Sequence, residues 1–165
     1  MNIVHDSKFR SLFHLPLSEI KIGDIKSFCD QKIPEGSTID YKEELIKEKI
    51  LPTIAAMANT DGGLILVGVS EEREYGGRRS YPGLVKGINN KNPKQTIINW
   101  CYAFLQPAFC PEIQEIPVGD GEKVVVFIRI DPKLVPELPV FCRDLDLKPI
   151  ISHPLRPKGF RVQRG

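Results

Sequence analysis

Leu64-Ile65-Leu66-Val67 is an unbroken apolar run, the pattern of a strand covered on both faces. It follows Ala55-Ala56-Met57-Ala58 and a polar turn, Asn59-Thr60-Asp61-Gly62-Gly63. A helix is therefore expected to turn a tight corner and run into a buried strand that reaches Val69. Upstream, residues 18–31 carry a helical pattern, with Ile25, Phe28 and Cys29 on one face and Asp24 as its N-cap. Residues 34–37 form a turn. Residues 38–42 alternate, so Ile39 and Tyr41 face one way and Asp40 and Lys42 the other. Residues 43–58 read as a helix, with Leu45, Ile46, Ile50, Ile54 and Met57 inward and Pro52 placed to kink or break it. Residues 71–82 read as a charged loop, and 84–88 as a short strand. Pro93 opens another helix, with Ile97, Ile98, Cys101, Phe104 and Leu105 inward, and Pro107 and Pro111 stop it. Residues 112–117 alternate, 118–122 make a hairpin turn, and 123–130 form a β-branched strand. Residues 138–142 are a further strand candidate, 149–157 a Pro-rich loop and 159–163 a closing edge strand.

This succession implies an α+β fold: a mixed β-sheet with two to three helices. The 165 residues suit one domain, assigned to residues 18–165 behind an N-terminal extension, 1–17. The 41% apolar content is ordinary for a globular protein. A net charge of +2 does not announce a nucleic-acid binder, but the charges are unevenly spread. Residues 1–122 hold 14 basic and 17 acidic side chains, and residues 123–165 hold nine and four. Arg156, Lys158, Arg161 and Arg164 make the end of the chain locally basic, either a phosphate-binding patch or a solvated terminal segment. Cys29, Cys101, Cys110 and Cys142 contain no Cys-x-x-Cys pair, and His5, His14 and His153 lack zinc-finger spacing. Cys29 and Cys101 fall in apolar helical patterns and read as buried thiols. With no secretory leader and no membrane-length apolar run, a reduced, cytoplasmic protein without disulfides is expected.

Candidate chemistry centres on Glu35, Asp40 and Lys42. Asp40 and Lys42 share a strand face, and Glu35 sits on the turn leading in. Carboxylates converging near a lysine suit a hard divalent cation, and such a cation supports phosphoryl chemistry. Glu71 and Glu72, just past the central strand, are the natural suppliers of a third carboxylate. The plainer alternative is an Asp40–Lys42 ion pair on a solvated face. Gly62-Gly63 could offer backbone N–H groups to a phosphate, or could simply turn the chain after a helix. Neither the phosphate-binding loop of nucleotide hydrolases nor a dinucleotide fingerprint occurs, so no ATP or NAD site is expected. No Ser-His-Asp or Cys-His arrangement is suggested. Trp100, Tyr102 and Phe104 read as core or partner surface. Phe160, among basic residues, reads as a stacking side chain or an edge-strand anchor.

Glu35-x4-Asp40-Tyr41-Lys42, followed by Ala56-Met57-Ala58-Asn59-Thr60-Asp61-Gly62-Gly63-x-Ile65-x-x-Gly68-Val69, resembles the Schlafen-type Alba-like domain. Phe160-Arg161-Val162-Gln163-Arg164-Gly165 is similar to that family's closing segment. The similarity extends over about residues 18–165. The resemblance implies an α+β domain that binds RNA or DNA through the phosphate backbone, with Lys42, Arg78, Arg79, Arg161 and Arg164 as contacts. In some Schlafens the same surface is a metal-dependent endoribonuclease acting on structured RNA such as tRNA. Its three acidic residues fall here on Glu35, Asp40 and Glu71, which would hold Mg²⁺ or Mn²⁺. Asp40 stands where the family has Glu, Glu71 where it has Asp, and Ser70 where a further Asp is common. Animal Schlafens pair two such lobes around a helical nucleic acid, which implies a homodimer for a single lobe. A regulatory or partner-binding module without catalysis is the remaining alternative.

Overall fold

The computed structural model describes residues 12–89 and 91–143, together with the backbone of residues 149–150. In chain order these form α1 (Ile22–Asp30), β1 (Ile39–Lys42), α2 (Lys47–Ala58), β2 (Gly63–Val67), β3 (Val69–Arg73) and β4 (Ser80–Val85). There follow α3 (Pro93–Phe104), β5 (Leu105–Gln106), β6 (Glu112–Val118), β7 (Lys123–Ile130), β8 (Phe141–Arg143) and β9 (Pro149–Ile150). The central sheet is mixed, in the order β1-β2-β7-β6. β1 runs parallel to β2, with Lys42 opposite Val67, and the other neighbours are antiparallel. β3 and β4 form a separate hairpin, and β5, β8 and β9 a small third sheet. This is the expected α+β architecture.

Alternation along the strands divides the core in two. Ile65, Val67, Val126, Ile128 and Ile130 pack against Ile50, Ile54 and Ala58 of α2 and Ile97 and Cys101 of α3. Leu64, Leu66, Val125 and Phe127 face the other way, against Ile25, Phe28 and Cys29 of α1, with Ile39 and Tyr41 of β1. All five residues of β2 are buried, as its unbroken apolar run requires. Leu12 is buried in the second of these clusters. Arg129 is buried on β7; its Nε donates to Glu112 Oε2 at 2.5 Å, and its Nη1 donates to the Leu12 and Leu15 carbonyls at 3.2 and 2.7 Å. A buried guanidinium is tolerable because its donors are matched in this way.

Four local expectations need correction. Asp24 is not the N-cap of α1: Lys21 holds that position, and Asp24 Oδ2 reaches back to accept from its backbone N–H at 2.9 Å. α2 starts at Lys47 rather than at 43, after an extended Ile46, and Pro52 lies within the helix without ending it. Residues 71–82 are not all loop: 71–73 and 80–82 are strand residues of the β3–β4 hairpin, and 74–79 connect them. The strand placed at 84–88 starts earlier, at Ser80, and ends at Val85; Ile88 makes only an isolated bridge to Val124. The edge strand expected at 159–163 lies outside the described residues.

Candidate nucleic-acid interface and carboxylate cluster

The corner before β2 is built by exclusion of volume. Gly62 has φ +77°, and a Cβ on it would collide with the Ile130 carbonyl and lie 2.8 Å from Pro132 Cδ. A Cβ on Gly63 would lie 2.6 Å from the Thr38 carbonyl oxygen and 2.7 Å from Met57 Sδ. The glycines therefore let α2, β1 and β7 close on one another, leaving no cradle for a phosphate. Asn59, at the C-terminus of α2, clamps a remote segment: its Nδ2 donates to the Val140 carbonyl at 2.8 Å, and its Oδ1 accepts from Val140 N–H at 2.7 Å. The other end of β2 turns at Gly68, φ +100°, where a Cβ would lie 2.7 Å from Gly87 Cα. The Gly68 N–H donates to the Lys42 carbonyl, and the Gly68 carbonyl accepts from Lys86 and Gly87. That crossing swings the chain out of the sheet and into β3.

The consequence is a charged cluster at the carboxyl ends of the parallel strands β1 and β2, the usual place for a ligand site in sheets with parallel strands. Lys42 Nζ lies 2.6 Å from Asp40 Oδ1 and 3.8 Å from Glu71 Oε1. Asp40 and Lys42 side chains are 13% and 16% exposed and that of Glu71 is 32%, so the pair is desolvated while Glu71 meets water. Glu35 approaches along the free edge of β1, where its Oε1 accepts from the Tyr41 backbone N–H at 3.2 Å. Two anchors hold it there. The Glu35 N–H donates to the Ser80 carbonyl of β4, and the Tyr41 hydroxyl donates to the Ile33 carbonyl at 2.8 Å. Burial raises the Glu35 carboxyl above its ordinary value; the Asp40 and Glu71 carboxylates add to this, while the Tyr41 N–H and Lys42 oppose it.

Glu35, Asp40 and Glu71, distant in sequence, thus form one electrostatic group with Lys42. Asp40 Oδ2 is buried and has no hydrogen-bond partner, an unusual state for a carboxylate oxygen. Carboxylate oxygens are donors of the type that a hard divalent cation takes. Among the described residues, however, no group of three or more His, Cys, Asp or Glu side chains is arranged to hold a metal ion as it stands. The Lys42 ammonium takes the place between Asp40 and Glu71.

Glu72 does not join the group; it pairs with Lys32 at 3.4 Å, and the Lys32 ammonium also donates to the Pro82 carbonyl at 2.7 Å. Ser70 is used within the hairpin, its Oγ accepting from Leu84 N–H at 2.8 Å. Arg78 and Arg79 are exposed near the hairpin tip, and Arg79 lines a cleft with Glu35. A second cleft, of about 360 Å³, is lined by Lys42, Glu71 and Lys49, among others. Lys49 was not singled out from the sequence, and neither was Arg73, whose Nε donates to Ser80 Oγ at 3.3 Å. Only the folded chain, which sets Lys49 in one cleft with Lys42 and pairs β3 with β4, brings them here. Arg161, Arg164 and Phe160 lie outside the described residues. No helix among the described residues is long and apolar enough to cross a membrane.

No curated protein matches the chain significantly. Among solved structures, the N-terminal domain of an ATP-dependent DNA helicase RecG-related protein from Nitrosomonas europaea is similar. The match has a TM-score of 0.52 and 17% identity, covering 88% of this chain and 91% of that one. That likeness concerns the fold. Sequence supplies the family: residues 35–143, from the first cluster carboxylate to the end of β8, match the profile described as Schlafen, AlbA_2, and the chain belongs to that family.

Proposed function

We propose that this chain binds nucleic acid through its phosphate backbone, across the β1 edge and the β3–β4 hairpin. The observation that carries this reading is the hairpin's two exposed arginines, Arg78 and Arg79, the second lining a cleft beside Glu35 at the β1 edge. Lys42, Arg78 and Arg79 are the phosphate contacts, and Arg161 and Arg164 extend them. Membership of the Schlafen AlbA_2 family supports it, as does the helicase-related protein in which a similarly folded domain occurs. A second copy of the chain would turn one charged edge into a two-sided groove, and light scattering with and without RNA tests that pairing.

Binding is tested by a salt titration with tRNA and with single-stranded oligonucleotides. Three phosphate contacts give a slope of log affinity against log salt of about −2 on a single strand. Arg78→Ala and Arg79→Ala should each flatten it by roughly 0.7. Absence of binding at low salt would leave a partner-binding module as the better account.

The unpartnered Asp40 Oδ2 favours a second reading, metal-dependent cleavage of an RNA phosphodiester. Glu35, Asp40 and Glu71 would hold Mg²⁺ or Mn²⁺ once Lys42 moves aside. Such a cation supplies an activated water and offsets charge on the phosphate. The chain's own part is to orient: the Tyr41 N–H fixes Glu35, and the displaced Lys42 meets a phosphate oxygen. Cation-free, three carboxylates against one lysine repel phosphate, so divalent ions should strengthen RNA binding even where no cleavage follows. Incubation of tRNA with Mn²⁺ decides the matter. Cleavage abolished by Glu35→Ala and Asp40→Ala supports a nuclease; intact RNA across Mg²⁺ and Mn²⁺ leaves binding alone.

A further inference from the structure

The β3–β4 hairpin ends in an aromatic ring surrounded by water. Glu74-Tyr75-Gly76-Gly77 is a tight turn, in which the Gly77 N–H donates to the Glu74 carbonyl at 2.8 Å. Gly76, third of the four, has φ +76°. Positive φ at that place marks a type II turn, and the residue before it stands at the corner. Tyr75 is the corner residue. Its exposure is 109% of the reference for a tyrosine, so the folded chain gives its ring essentially no contact. The other exposed large apolar side chains of the described residues, Leu84, Tyr102, Leu134 and Leu138, are all partly covered. The turn does not ask for a ring there; proline is the residue that its corner favours.

Below the tip, the hairpin is tied down. The Ser80 carbonyl accepts from the Glu35 N–H at 2.8 Å, and Ser80 Oγ accepts from Arg73 Nε at 3.3 Å. Lys32 joins Glu72 to the Pro82 carbonyl. The ring is thus carried on a braced stem. Arg78 and Arg79 follow the turn, both exposed, and Arg79 lines a cleft of about 410 Å³ along residues 33–39.

We propose that Tyr75 is a stacking platform for an unpaired base of an RNA or DNA strand whose phosphates Arg78 and Arg79 hold. This rests on the phosphate-backbone reading above and adds a preference to it. A fully hydrated ring gains by being covered, and every base has a face with which to cover it, whatever its sequence. In a continuous duplex those faces are already covered by neighbouring bases, so the platform has nothing to take. Two guanidinium groups next to the ring in sequence favour a polyanion over an apolar partner. The hairpin would therefore grip single strands and loops at the base as well as at the phosphate.

The test compares three probes of about 12 nucleotides by fluorescence anisotropy at low salt, on the full chain: a single strand, an abasic strand of the same length and a blunt duplex. The abasic strand keeps the phosphates and lacks the bases. Tyr75→Ala should weaken the base-bearing strand about tenfold and the other two less than about twofold. Tyr75→Phe keeps the ring and should bind as the natural chain does. Because Tyr75 carries no charge, the salt slope of Tyr75→Ala should match that of the natural chain, whereas Arg78→Ala flattens it. The ring has no contact to lose, so Tyr75→Ala should also melt as the natural chain does. Unchanged binding of the single strand by Tyr75→Ala, or an equal loss on the abasic strand or the duplex, would overturn the stacking role and leave the phosphate reading standing. Failure of the natural chain to bind any of the three would overturn both.

Discussion

The two ends of β2 obey opposite rules. At its start, the Asn59–Gly63 corner is closed: the Asn59 amide makes paired hydrogen bonds with Val140, and both glycines stand where a side chain would strike backbone. Beyond its other end, the cluster on β1 and β3 gathers like charges, leaves a buried carboxylate oxygen without a partner and raises the Glu35 carboxyl. Conformational demands account for the first end completely. At the second they go unmet, and departures of that kind concentrate at functional sites. The most distinctive stretch of the sequence is therefore scaffold, and the proposed site lies where that scaffold delivers Glu71.

The sharpest way to break the contrast is to put a methyl group in the corner. Gly63→Ala sets a carbon against the Thr38 carbonyl and the Met57 sulfur, neither of which can retreat without moving β1 or α2. The expected loss is about 3 kcal/mol or more by urea denaturation. A loss under about 1 kcal/mol would mean that the corner is open and that its glycines serve something other than packing.

The converse test removes the cation from the cluster. Lys42→Met leaves a buried Asp40 without its counter-ion, at an expected cost of about 3 kcal/mol at neutral pH. Lys42 also lowers Glu35, so its loss raises that carboxyl further. The part carried by Glu35 exists only while that carboxyl is ionised, and it fades as pH falls through the raised value. Mn²⁺ should raise the melting temperature of this variant more than that of the natural chain, because no ammonium competes for Asp40 and Glu71. Equal responses to Mn²⁺ would count against these carboxylates as a cation site.

What could be read from the chain followed from the range of the interactions. β2, β6 and β7 announce themselves through apolar pattern and a local hairpin turn, and Asp40 and Lys42 share a face by strand geometry alone. The β3–β4 hairpin does not, because Glu71-Glu72-Arg73-Glu74 is polar on both faces and offers no alternation to detect. Its stability comes from partners far away: Lys32 on Glu72 and Pro82, and Ser80 on Glu35. The unpartnered Asp40 oxygen is likewise a product of packing, with no signature in spacing.

Asn59 sits between these cases. Its side chain is visible in the sequence as a capping type, but its partner is Val140, beside β8. Asn59→Ala leaves both backbone groups of Val140 without those bonds, and the expected cost is about 2 kcal/mol. Hydrogen exchange should localise the loosening to residues 140–143 and leave the β1 edge protected. Equal loosening at both places would mean that the two ends of β2 are coupled rather than separate.

The smallest effect is the most telling about the cluster. Glu35 is raised above its ordinary value of 4.5 in the folded chain, chiefly by partial burial and secondarily by the nearby Asp40 and Glu71. The folded state then binds this proton more tightly than the unfolded state, so stability falls as pH rises from the unfolded value through the folded one. Above that window the penalty is full, and below it there is none. Glu35→Gln is neutral at every pH and keeps an oxygen to accept from the Tyr41 N–H. In the presence of a chelator, the variant should melt higher than the natural chain at pH 7, by less than about 2 °C given how much of Glu35 meets solvent. The two should converge below the ordinary carboxylate value. A natural chain that is the more stable at pH 7 would mean that the Tyr41 hydrogen bond and Lys42 outweigh burial, and that Glu35 belongs with the satisfied scaffold rather than with the frustrated edge.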